Sequence, residues 1–128
     1  MSKQRERETF IALMSREFPA LPNAEHIARL ILRHAATLAR IGVMECNGPE
    51  CSPTIAPAAY ERLWNRHDAY CTQTAERAEN RIRAICKPLG MEVKFGGDPR
   101  GFPVQLFLPS GKYNTWGGAE SGYGVGNE

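Results

Sequence analysis

Four side chains that bind soft metals are spaced so that one ion could gather them: Cys46 and Cys51 in a turn-rich segment, His67 and Cys71 beyond it. Residues four apart project from one side of a helix, so His67 and Cys71 would point to a common spot. Two thiolates, a third thiolate and an imidazole form a donor set that suits structural zinc. The spacing within the second pair matches no standard finger, and buried thiols beside a packed histidine are the competing reading. On this reading no cofactor is expected, with zinc at Cys46, Cys51, His67 and Cys71 as the alternative.

A second group of candidates is cationic. Arg29, Arg33 and Arg40 are separated by four and seven residues, and at about 100° per residue they return to nearly the same angle on a helix. Such a stripe can hold phosphates or an acidic protein surface through charge-assisted hydrogen bonds, with Arg62 and Arg66 as further members, or it can be a solvated helix face. His34 falls on the opposite, apolar side of the same stretch, where an imidazole needs a hydrogen-bond partner to offset its desolvation. Catalysis by His34 would require a nucleophile or carboxylate delivered by the fold, and no spacing in the chain supplies one.

The glycine-rich stretch Gly96-Gly97-Asp98-Pro99-Arg100-Gly101 follows an alternating segment but leads into no helix, so it lacks the geometry of a phosphate-cradling loop. It reads as a tight connection, with Arg100 at its tip as a partner contact or an anchor on the strands. Tyr113 and Trp116, together with Tyr123, combine large contact area with a polar tip, the residue types that dominate interface hot spots, and they serve equally to close a small core.

The elements that must position these residues follow from periodicity. Phe10, Ile11, Met14 and Phe18 recur at helical spacing from Gln4 to Phe18, ended by Pro19 and Pro22. Asn23 is placed to cap a second helix through Ile27, Leu30, Ile31, Leu38 and Ile41 to Gly42. Residues 42–57, with Gly48, Pro49, Pro53 and Pro57, predict a loop. A long helix opens near Thr54, carries Tyr60, Leu63, Trp64, His67, Cys71, Ala75, Ala78, Ile82, Ile85 and Cys86 on one broad face, and stops at Pro88 and Gly90. Beyond Gly90 the period becomes alternating: 92–95 and 104–108 predict a β-hairpin, and Tyr113–Trp116 a short third strand. The fold class is therefore α+β, three helices, one of them long, followed by a small antiparallel hairpin or three-stranded sheet with a Gly-rich tail. One domain is expected over 1–128, helical over 1–90 and β over 91–128.

Composition sets the outer limits. At 128 residues the chain can bury roughly two-thirds of its unfolded surface, so neither a metal nor a disulfide is required for folding. A formal charge of +2 is too small to imply nucleic-acid binding from bulk electrostatics. The charged N-terminal segment has no apolar signal core and no run has the length of a membrane span, which predicts a cytoplasmic protein with reduced thiols.

With all segments in view, the chain resembles a family of small bacteriophage and prophage proteins. The resemblance rests on Leu32-Arg33-His34-Ala35, Glu45-Cys46-Asn47-Gly48 and Arg81-Ile82-Arg83 leading to Cys86. Above all it rests on Gly97-Asp98-Pro99-Arg100-Gly101, Leu108-Pro109-Ser110-Gly111 and Asn114-Thr115-Trp116-Gly117-Gly118. Some relatives carry a zinc-ribbon-like insertion between the second and third helices, where this sequence has only Cys46 and Cys51. The resemblance implies a mobile-element origin and an accessory role, including inhibition of bacterial defence of the anti-CRISPR kind. The expected function is a non-enzymatic protein that binds a host protein or ribonucleoprotein, with Arg29, Arg33, Arg40, Arg100, Tyr113 and Trp116 as contacts. Two alternatives stand beside it: nucleic-acid binding through the arginine faces with zinc holding the loop, and a small hydrolase or transferase using His34 or His67 with a cysteine.

Overall fold

A computed structural model describes residues 3–98, 101–109 and 123–126. In these residues the α+β expectation is met: three α-helices are followed by a three-stranded antiparallel sheet. The first helix, α1, spans Lys3–Glu17; α2 spans Ala24–Asn47 and α3 Pro57–Cys86, each bound within one to five residues of its expected end. A short 3-10 turn, Lys87–Leu89, leads from α3 to Gly90.

The one sizeable difference is at the end of α2, which does not stop at Gly42 but continues to Asn47. A single glycine inside a helix costs about 1 kcal/mol relative to alanine, too little to end it when Val43, Met44 and Glu45 sustain the turn. Gly48 ends it instead. Its backbone is at φ 70 and ψ 178, a conformation essentially confined to glycine, and its N–H donates to the Met44 carbonyl at 3.0 Å. Asn23 precedes α2 as expected, but its side chain makes no cap hydrogen bond; the Asn23 carbonyl accepts from the Ile27 N–H at 3.0 Å. At the start of α3, Pro57 takes the first-turn position, where its missing N–H has no helical partner to lose.

The expected hairpin is present, with β1 at Glu92–Phe95 and β2 at Val104–Phe107 in the register Glu92↔Phe107 to Phe95↔Val104. The third strand, β3, is Tyr123–Val125, paired with β2 through Leu106↔Tyr123 and Val104↔Val125. The strand expected at Tyr113–Trp116 lies outside the described residues.

Alternation gives the sheet one covering face. Val104 and Leu106 are buried, with Val93, Phe95, Tyr123 and Val125 beside them, while Lys94, Gln105 and Phe107 point the other way. The covered face meets a core drawn from every element: Phe10 and Met14 of α1, Ile31, Ala35 and Leu38 of α2, Ala78, Ile82 and Cys86 of α3. Burying each large aliphatic side chain contributes about 1.5–3 kcal/mol, and the alanines let the helix axes approach. Phe10 stacks on Tyr123 with ring centroids 5.3 Å apart, tying α1 to the last strand.

Candidate functional site

Because α2 runs past Gly42, its last turns stand beyond the core and form one wall of an open groove. The last buried residue of α2 is Ile41; after it Val43 and Met44 expose 60% and 37% of their surface. The groove encloses about 1300 Å³, with Ala39, Val43, Met44, Pro49 and Pro103 among its apolar lining. Cys46, Cys51 and His67 also line it, so the fold brings three of the four expected metal-binding side chains to one cavity.

The fourth, Cys71, is buried one helical turn below His67, whose Nε2 lies 4.0 Å from the Cys71 Sγ. Gathering stops there: among the described residues no group of three or more His, Cys, Asp or Glu side chains is placed to hold a metal ion. Cys46 and Cys51 are free and exposed.

His67 is held by its neighbours more than by hydrogen bonds. Its ring meets Trp64 edge-on with centroids 5.8 Å apart, and Trp64 meets Tyr60 at 6.2 Å. The His67 Nδ1 is buried without a hydrogen-bond partner, and an Asp68 carboxylate oxygen lies 3.7 Å from it. Trp64 lies over Gly48, where an added Cβ would come within 2.7 Å of the indole. The C-terminal end of α2 is thus clamped to α3 through a glycine and an aromatic ladder.

The His67–Cys71 pair is poorly suited to covalent catalysis. Burial first, then the Glu45 and Asp68 carboxylates, push the Cys71 thiol up from its ordinary pKa, which favours the thiol over the nucleophilic thiolate. Burial first, then the cations Arg81 and Arg33, hold the His34 pKa below its usual value. A histidine in that setting is neutral at physiological pH and sits in a positive potential.

The arginine stripe is real and is wider than the helix that carries it. Arg29, Arg33 and Arg40 line a second concavity together with Ala36, Thr37 and Arg7, the last contributed by α1. Arg7 was not anticipated: its heptapeptide is mixed in charge, and only the packing of α1 along α2 brings it into line. Arg62 and Arg66 are exposed on α3 and are not among the residues that line this concavity. Arg29 is paired with Glu25 at 2.9 Å, whereas among the described residues Arg33 and Arg40 meet no carboxylate within ion-pair distance. The two concavities share Ala36 and Arg40, which form a common rim on α2.

Backbone hydrogen bonds join described residues on the two arms of the β1–β2 connection. The Gly96 N–H donates to the Pro103 carbonyl at 2.9 Å, and the Gly101 N–H to the Asp98 carbonyl at 2.9 Å. Arg100, Tyr113 and Trp116 lie outside the described residues.

No protein-family model, curated protein or solved structure matches this chain. No helix among the described residues is long and apolar enough to cross a membrane.

Proposed function

We propose that this is a non-enzymatic binding protein that takes a protein partner in the groove at the end of α2. The observation that supports it is the adjacent exposure of Val43 and Met44, 60% and 37%, on a helix end that lines an apolar cavity. Large apolar side chains kept in water beside a concave apolar surface are a feature of association sites, and methionine adapts its shape to what docks there.

The sequence resemblance to phage and prophage proteins supplies the setting. The partner is then a protein or ribonucleoprotein of the bacterial cytoplasm, and inhibition of host defence of the anti-CRISPR kind is the specific accessory role. Arg100, Tyr113 and Trp116 belong to the same proposal as additional contacts.

Affinity purification from a bacterial lysate, followed by mass spectrometry, tests it with the wild type and a Val43→Asp/Met44→Asp variant. A stoichiometric host protein recovered with the wild type and lost with the variant is the expected result. Equal recovery with both, or recovery of nucleic acid alone, overturns the groove as the protein-binding site.

A further inference from the structure

We infer that the concavity lined by Arg7, Arg29, Arg33, Thr37 and Arg40 binds the phosphate backbone of nucleic acid. The inference stands apart from the protein-binding groove, and either can fail without the other.

The first support is local charge. Although the whole chain carries only +2, α2 has no acidic residue from His26 to Met44, so the arginines project from a segment with no carboxylate of its own. Arg29 is paired with Glu25, one turn before it on the same helix. Arg33 and Arg40 are exposed. Their guanidinium groups present planar forks of donors that match phosphate oxygens, and the Thr37 hydroxyl lies in the same concavity. The Thr37 hydroxyl donates to the Arg33 carbonyl at 3.2 Å, so its proton is engaged within the helix and the donors offered to phosphate are the guanidinium groups.

The second support is extent. Arg29 and Arg40 are eleven residues apart, roughly 16 Å along the helix axis, a row longer than any single phosphate group. A free phosphate ion would engage one end of such a row; a repeating polyanion engages all of it.

The third is what the concavity lacks. Apart from Ala36 the described residues that line it are polar, and none of them is aromatic. Protein interfaces draw most of their energy from desolvated aromatic and aliphatic anchors. Backbone binding of nucleic acid needs none, because release of condensed counterions by Arg and Lys carries it.

The apolar groove lies further along α2, toward the 48–51 loop and Pro103, and shares Ala36 and Arg40 with the arginine concavity. If both are occupied, the partner presents protein and phosphates next to each other along α2, as the surface of a nucleoprotein does.

Fluorescence anisotropy with labelled 20-nucleotide single-stranded RNA, single-stranded DNA and duplex DNA tests the inference on the full chain. Three charge-altered proteins serve: Arg33→Glu/Arg40→Glu, the milder Arg33→Gln/Arg40→Gln, and Arg62→Glu/Arg66→Glu, which makes the same net-charge change on α3. Circular dichroism confirms that each is folded. The expected result is micromolar binding at 50 mM salt that weakens linearly on a logarithmic salt plot. Affinity should fall at least tenfold in Arg33→Glu/Arg40→Glu and in the same direction with glutamine, but less than twofold in Arg62→Glu/Arg66→Glu. The salt slope should also drop by about 1.4–1.8 when the two contacts are removed. Absence of binding at 20 mM salt overturns the inference, and so do equal losses in the two charge-matched variants. Tighter binding to a poly-glutamate peptide or to anionic phosphatidylglycerol vesicles than to any oligonucleotide also overturns it, reassigning the concavity to an acidic protein or a lipid surface.

Discussion

The four cysteines separate into two chemical classes by where the helices put them. Cys46 and Cys51 are exposed at the end of α2 and in the loop after it, and Cys71 and Cys86 are buried in α3. Burial pushes the Cys86 thiol up to about 12, leaving on the order of one thiolate in ten thousand molecules at pH 8. Cys71 is shifted the same way by burial and by Glu45 and Asp68. Native protein treated with a chromogenic disulfide reagent at pH 8 is therefore expected to release colour for two thiols within minutes and for the other two only after denaturant is added. Four fast thiols without denaturant would show that the α3 core opens far more readily than its packing implies. Two fast thiols in Cys46→Ser/Cys51→Ser protein would assign the reactive pair to the wrong positions. At this scale the sequence was informative about donor chemistry and silent about placement. The spacing of His67 and Cys71 correctly put them on one side of a helix. It carried no information on whether Cys46 and Cys51 would turn toward them, because that depends on how far α2 extends before its chain reverses.

Elements in this chain are held together where small residues let backbones meet. The clearest instance is β3 on α2: Gly126, just past the strand, has φ +91, and a Cβ there would lie 2.6 Å from the Ala35 Cβ and 2.7 Å from its carbonyl carbon and oxygen. The obstruction is backbone, which cannot rotate away. Gly126→Ala is expected to lose about 2–5 kcal/mol, summing the left-handed strain and the overpacking, measured by urea denaturation monitored by circular dichroism. Gly97→Ala supplies the control, since Gly97 has φ +72 with nothing within 4 Å, so that it bears the backbone strain alone. Equal losses in the two variants would mean that β3 is not seated on Ala35 as described. Periodicity recovered α1, most of α2, α3 and the hairpin because each has an apolar face repeated over several turns or strand residues. It missed the last turn and a half of α2, where one glycine outweighed the helical residues after it. It also gave no strand at Tyr123–Val125, because three residues containing a glycine carry almost no alternating signal; β3 is a strand because Leu106 and Val104 pair with it. The arginine row was legible in the spacing of Arg29, Arg33 and Arg40, but Arg7 joins it only through the packing of α1, which no local pattern encodes.

Across the whole molecule, packing is uneven along the α2–α3 pair, and the uneven end is the one that carries the groove. Ile41 is the last buried residue of α2, and Cys71 is the first buried residue of α3. Residues 42–47 and 57–70 therefore stand outside the main core, held by Trp64 over Gly48 and by half-buried Leu63 and His67. The other end, with Ala78, Ile82 and Cys86 under the sheet, joins the cluster that every element shares. Local opening follows buried contact density, so this tip should open at a lower free energy than the rest of the chain. Native-state hydrogen exchange is expected to show opening free energies for amides of 42–47 and 57–70 at least about 2 kcal/mol below those of 28–38 and 75–86, whose protection should approach the global unfolding value. Uniform protection along α3 would contradict this, and with it the idea that the groove wall is an adaptable surface. Val43→Asp should leave the pattern unchanged, since its side chain already faces water, whereas Trp64→Ala should lower protection of the tip selectively by freeing the end of α2. A partner seated in the groove has a defined signature in the same measurement. It should raise the protection of 42–47 and 57–70 toward that of the core and leave 75–86 as it was, because only the tip has stability to gain from a new apolar contact.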